Sequence, residues 1–215
     1  MKESCVIVGA GTYGQIYAEY LKETYNIIGF IDDNPNIHGQ VVNGLPVIGD
    51  MSCLLNKISK EINVFIPIGN NKVRSSLLDL VSSKGFKTPN YIHPTVNIES
   101  SVKISQQAVY ILQGTIIMPL VKIDSGVMIS SGSIISHHTV IEKGVFISFG
   151  VNVGASICLC ENAYLGIGSL VMTGVNKVGR NSLIGAGAVI IRDVPDGATV
   201  VGNPGRIIKQ VDVSE

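Results

Sequence analysis

With 215 residues, 46% of them hydrophobic, the chain holds enough apolar material for one large core or two small ones, which excludes a disordered protein. Its 16 basic and 16 acidic residues cancel, and no run of lysine or arginine offers a surface to nucleic acid or lipid headgroups. A small-molecule ligand is therefore expected. With no segment of about 18 uncharged apolar residues, the chain reads as a cytoplasmic protein without membrane insertion.

CVIVGAGTYGQIYAEYLKE, Cys5 to Glu23, reads as a strand, a glycine turn and an amphipathic helix, and YNIIGFIDDNP, from Tyr25, as a second strand ending in Asp32 and Asp33. This is a βαβ unit. Gly9, Gly11 and Gly14 have the spacing G-x-G-x-x-G in the strand-to-helix context that gives the motif its meaning. Glycines there let the backbone approach a pyrophosphate at a helix N-terminus, and an acid at the end of the next strand can accept hydrogen bonds from a ribose or base. A later strand in VFIPIGNNKVR, Val64 to Arg74, brings Gly69 and two asparagines to the same carboxyl edge. Roughly 90 residues make one mononucleotide-binding half and fall short of a complete dinucleotide domain, which favours a nucleoside diphosphate group over NAD.

Around Thr88–Pro94 the composition shifts to glycine, serine, valine and isoleucine, so the domains are placed at 1–90 and 91–215. The second half repeats every six residues. From Ile117 the same phase is aliphatic at Ile123, Ile129, Ile135, Ile141, Ile147, Val153, Leu159, Leu165 and Val171, and the position four residues after each is small or β-branched. Extra residues reset the frame near Asn176–Lys177 and between Ile104 and Ile111. A six-residue unit cannot bury its own side chain, so successive units must stack as short parallel strands, three to a coil, in a triangular prism. An antiparallel sandwich would alternate every two residues instead. Of the four cysteines, Cys158 and Cys160 lack the two-residue gap of common zinc or redox pairs; all four are expected to be reduced and structural, with no metal. His137 and His138 fall away from the inward phase, at a prism corner.

Taken together, VIVGAGTYG, IIGFIDDNPNIHGQVVNGLPVIGD, IGNNKVR, YIHPTVNI, IISHHTVIEKGVFISFGVNVGAS and IGAGAVIIRDVPDGATVVGNPGRIIK cover nearly the whole chain. They resemble the bacterial nucleotide-sugar acyltransferases, in which a Rossmann-like N-terminal α/β domain precedes a left-handed parallel β-helix of hexapeptide repeats. Members include N-acetyltransferases of UDP-, GDP- or dTDP-linked 4-amino-4,6-dideoxy sugars for surface glycans, and sialic acid O-acetyltransferase-like proteins. The resemblance implies a homotrimer, acetyl-CoA as cosubstrate in a groove between β-helices, and a sugar nucleotide on the N-terminal domain near Gly11, Thr12, Tyr13, Gly14, Asp32, Asp33 and Gly69. It also places the catalytic histidine at His137, with coenzyme A contacts at Ile167 and Gly185.

The chain departs from the family pattern at three points. His138 stands where relatives carry Asp or Glu, which leaves the orienting group open among His138 and backbone carbonyls. Phe146 stands where relatives often have a histidine that contacts acetyl-CoA, and an aromatic there could pack on the pantetheine arm. Thr12–Tyr13 replaces a frequent glycine–histidine pair.

The expected reaction is direct acetyl transfer to a sugar amine, with neutral imidazole removing the proton. O-acetylation by the same machinery, or a nucleotide-sugar-binding protein with an impaired site, are the alternatives. A metal hydratase on a similar prism would need separated histidines, whereas His137 and His138 are adjacent.

Overall fold

The computed structural model describes residues 2–211. These divide between Asn90 and Tyr91 into two compact units.

In the first unit, β1 (Ser4–Val8), α1 (Thr12–Leu21), β2 (Asn26–Ile31), β3 (Val41–Val42), β4 (Leu45–Gly49), α2 (Met51–Lys57), β5 (Asn63–Phe65) and α3 (Asn71–Ser83) follow in chain order. The sheet order is β3-β4-β2-β1-β5, parallel except for the β3–β4 hairpin. β1 is an inner strand between β2 and β5, and Cys5 to Val8 are all at most 3% exposed, as expected for a continuous apolar run covered on both faces. The chain winds from β1 to β2 on one side and reaches β5 on the other, so the carboxyl ends of β1 and β5 flank a topological switch point.

The second unit is a left-handed β-helix whose two-residue strands form three parallel ladders. Strands pair with those eighteen residues on, as Lys122 with Val140 and Val140 with Cys158, so one coil is three hexads. Five pairings among the described residues span nineteen instead: Ile92 with Ile111, Ile104 with Ile123, Leu159 with Val178, Leu165 with Ile184 and Val171 with Ile190. The inserted residues thus lie in the turns before Tyr110 and Lys177, where the repeat predicts its frame resets. All ten phase residues from Ile117 to Val171 point inward and are at most 4% exposed. Two polar members of the partner phase are bonded inside: Ser133 Oγ donates to Ser148 O at 2.8 Å and Thr139 Oγ1 to Gly154 O at 3.0 Å.

Side chains pointing outward give each ladder its own character. One face carries Ile116, Ile134, Asn152, Leu170 and Val189; a second carries Tyr110, Met128, Phe146 and Tyr164; the third carries Lys103, Lys122, Val140, Cys158 and Lys177. From Gly114 to Gly168 every sixth residue turns a corner with φ between +56° and +73°. That backbone favours glycine, yet Leu120, His138 and Ser156 adopt it along a single edge.

Candidate active site

In the first unit the glycine loop has two different reasons for its glycines. A Cβ on Gly14 would sit 1.8 Å from the Gly9 carbonyl oxygen, so that glycine allows α1 to pack onto the loop. Gly11 has an ordinary φ of −72° and nothing within 4 Å of where its Cβ would be. No contact in the fold requires it to be small, and the space before it is open. Gly11 is also the N-cap of α1 and offers no side chain to the helix N-terminus, which carries the partial positive charge of the helix dipole. Thr12 is exposed and Tyr13 half-buried at the same helix start.

The aspartates shape this edge. Asp32 Oδ2 accepts from Ala10 N at 2.8 Å, tying β2 to the glycine loop, while Oδ1 accepts from Asn34 N at 2.9 Å. Asp33 Oδ1 accepts from Met51 N at 3.0 Å, at the start of α2. Across the switch point, Gly69 follows β5, and Asn70 caps α3 by accepting from Val73 N at 3.1 Å. Beneath this turn Arg74 is fully buried and donates to Ile68 O at 2.6 Å and to Asn71 Oδ1 at 3.0 Å. Ile68 lies 3.4 Å from a Cβ built on Gly9, so the two loops of the crevice touch. Arg74 as the buried support of this turn has no local sequence signal; its burial emerges only from the packing of α3.

In the second unit His137 and His138 form an exposed corner between strands Ile134–Ile135 and Val140–Ile141. Their Nδ1 atoms are 2.9 Å apart and their rings are edge to face, with centroids 5.1 Å apart. A 2.9 Å contact between two Nδ1 atoms holds one proton: one imidazole donates and the other accepts. The corner is fixed from inside by buried Thr139 and from the next coil by Ser156 N, which donates to His137 O at 3.0 Å. His138 is held at φ +60°, a region where histidine is among the less disfavoured residues.

The three positions expected at coenzyme A differ from one another. Ile167 is 56% exposed at a corner, and its carbonyl accepts from Gly187 N at 2.8 Å. Gly185 is half-buried, and a Cβ there would come 2.7 Å from Val201 Cγ1. Phe146 is 1% exposed and packs edge to face on Tyr164 at 5.3 Å, so its ring offers no open surface for a pantetheine arm.

Residues 4–81 match the PglD N-terminal domain. Over 97% of this chain and the whole of the other, the fold is similar to the acetyltransferase domain of PglB from Neisseria gonorrhoeae FA1090 in complex with acetyl coenzyme A, at 29% identity and a TM-score of 0.86. GDP-perosamine N-acetyltransferase from Caulobacter crescentus, a mutant in complex with CoA and GDP-perosamine, is 26% identical over 98% of both chains, with a TM-score of 0.68. Over nearly its whole length the chain is thus similar to acetyltransferases, one of them a GDP-perosamine N-acetyltransferase.

Curated relatives match over shorter stretches. A galactoside O-acetyltransferase of Lactococcus lactis is 33% identical over 31% of each chain, and a 2,3,4,5-tetrahydropyridine-2,6-dicarboxylate N-acetyltransferase of Clostridium perfringens is 43% identical over 26% of this chain and 23% of its own. The chain thus spans less than a third of the length of these relatives. No helix among the described residues is long and apolar enough to cross a membrane.

Proposed function

We propose that the chain is an acetyl-CoA-dependent N-acetyltransferase acting on the amine of a nucleotide-linked amino-deoxy sugar, a 4-amino-4,6-dideoxyhexose, in cytoplasmic surface-glycan synthesis. The observation that carries this reading is the His137–His138 pair. With Nδ1–H of His137 donated to Nδ1 of His138, the Nε2 lone pair of His137 is left free to accept a proton, and His138 keeps its own proton on Nε2.

In the proposed reaction His137 Nε2 takes a proton as the sugar amine attacks the thioester carbonyl, forming a carbon–nitrogen bond. The carbon–sulfur bond then breaks, and the proton passes to the departing coenzyme A sulfur. His138 accepts the Nδ1–H throughout and holds the ring in register. A neutral imidazole stabilises the imidazolium less than a carboxylate would, so His138 serves chiefly in orientation. Backbone N–H groups near the thioester would stabilise the oxyanion. Transfer is direct: the thiols of Cys158 and Cys160 are raised above the usual range, mainly by burial, which disfavours the nucleophilic thiolate.

Gly11 and the open N-terminus of α1 support a pyrophosphate site in the first unit, with Thr12, Tyr13, Gly14 and Gly69 around it and Asp32 and Asp33 holding its loops. Coenzyme A is assigned to the Ile167 corner and Gly185; the burial of Phe146 removes it from that set. The aliphatic face supports a homotrimer, because Ile116, Ile134 and Leu170 are 54%, 37% and 37% exposed there, beside Met172 at 46%.

The test offers acetyl-CoA with a UDP-, GDP- or dTDP-linked 4-amino sugar and, in parallel, its 4-hydroxy counterpart, reading coenzyme A release and product mass. Acetylation of the amine is expected. Transfer to the hydroxyl alone would replace the reaction by O-acetylation, and turnover with neither would leave only a binding role.

A further inference from the structure

Cys158, on the strand Cys158–Leu159 of the lysine-bearing face, and Cys160, the residue after that strand, flank Leu159, which points into the core. Glu142, at the end of the strand one coil earlier, reaches the same spot because it lies eighteen residues before Cys160. Cys158 Sγ is 3.8 Å from Cys160 Sγ and 3.6 Å from Glu142 Oε1. The three ligand atoms all lie within 4.8 Å of one another, and all three residues are half-buried.

These separations have a chemical meaning. In a tetrahedral zinc site, with metal–sulfur bonds of about 2.3 Å and metal–oxygen bonds of about 2.0–2.2 Å, ligand edges are about 3.8 Å between sulfurs and about 3.6 Å from sulfur to oxygen. The observed edges have those lengths before any ion is placed. The carboxylate is also oriented from outside: Glu142 Oε2 accepts from Glu161 N at 2.9 Å, which leaves Oε1 directed at the sulfurs. Glu142 and Asp196 place negative charge beside Cys160, and Lys177 is the opposing cation.

We propose that Glu142, Cys158 and Cys160 form a binding site for a thiophilic divalent cation, zinc by its preference for tetrahedral sulfur and oxygen ligands, with water in the fourth position. The site is separate from His137: it lies at the far edge of strand Val140–Ile141, about 13 Å along an extended chain from His138. A bound ion would cross-link two successive coils through their outward side chains. Two thiol protons leave to solvent as the sulfurs bind, and the ion's charge offsets the burial and like-charge repulsion that otherwise keep both thiols protonated.

The test is titration of the reduced, chelator-treated protein with cobalt(II), followed by displacement with zinc. A thiolate-to-cobalt charge-transfer band saturating at one ion per chain is expected, bleached by one equivalent of zinc. The band should vanish in C158S/C160S. Glu142→Gln should keep the fold and weaken cobalt binding by about tenfold or more. His137→Ala should leave the band unchanged, which separates this site from metal captured by the histidine corner. Absence of a saturating band in the wild type, its survival in the double cysteine variant, or unchanged affinity in Glu142→Gln would each overturn the site.

Discussion

The glycine loop of the first unit and the histidine corner of the second are made of different materials. The loop works with backbone: Gly11 leaves space, α1 begins without a side-chain cap, and Asp32 is spent on holding Ala10 rather than on projecting outward. The corner works with side chains: the stacked coils set the positions of His137 and His138, and a contact between two rings shares one proton between their Nδ1 atoms. A backbone site tolerates changes in the residues that decorate it, as Thr12 and Tyr13 do, provided the conformation survives. A side-chain site depends on the proton positions of two groups. The two regions should therefore fail in different ways when altered.

The largest effect is expected at the corner. His137→Ala should lower the acetylation rate by roughly 10²–10⁴, the range of general acid–base catalysis, while leaving the affinities for acetyl-CoA and sugar nucleotide intact by calorimetry. A rate close to wild type would break the contrast, since the corner would then contribute no chemistry.

Next come the two glycines, which separate ligand from fold. Gly11→Ala should weaken nucleotide binding by about 10–100-fold, the equivalent of one lost charge-assisted hydrogen bond, with no change in melting temperature. Gly14→Ala should destabilise the first unit by about 1–3 kcal/mol, because its Cβ would meet the Gly9 carbonyl and force a shift in packing. Equal effects of the two substitutions on stability would show that the open space before Gly11 has no role.

Asp32→Ala sharpens the comparison further. Loss of the bonds to Ala10 and Asn34 should cost about 1–2 kcal/mol of stability and weaken nucleotide binding together with it, leaving acetyl-CoA affinity unchanged. Loss of acetyl-CoA binding instead would mean that the two ligands are assigned to the wrong units.

The smallest effect is expected at His138. Glycine there removes the imidazole and also suits the left-handed corner, so His138→Gly should retain stability and lose roughly 5-fold in rate, the equivalent of about 1 kcal/mol for one neutral hydrogen bond. A loss in His138→Gly larger than in His137→Ala would move the base by one residue.

How much of this was legible in the sequence follows the same contrast. The strand, glycine turn and helix at the start are contiguous, so local pattern was enough to place them, and the period of six located both the inward residues and the two inserted ones. The distinct jobs of Gly11 and Gly14 were hidden, because motif spacing says nothing about which Cβ would clash. Phe146 read as a candidate ligand contact because of the position it shares with a coenzyme-contacting histidine in the family it resembles; that position says nothing of burial, and packing against Tyr164 leaves the ring 1% exposed. The grouping of Glu142 with Cys158 and Cys160 was missed for a geometric reason. In a solenoid, spatial neighbours are one coil apart, and a search for short cysteine spacings never compares residues eighteen positions away.

The central claim, that His138 frees the Nε2 of His137 by holding its Nδ1, can be read directly from the nitrogen resonances of selectively ¹⁵N-labelled histidines in the resting protein at neutral pH. The account predicts that His137 carries its proton on Nδ1 with a bare Nε2, that His138 carries its proton on Nε2, and that His138→Gly releases His137 into a mixture of tautomers. A His137 protonated on Nε2 in the wild-type protein would contradict it, because the nitrogen offered to the sugar amine would then have no lone pair to accept a proton.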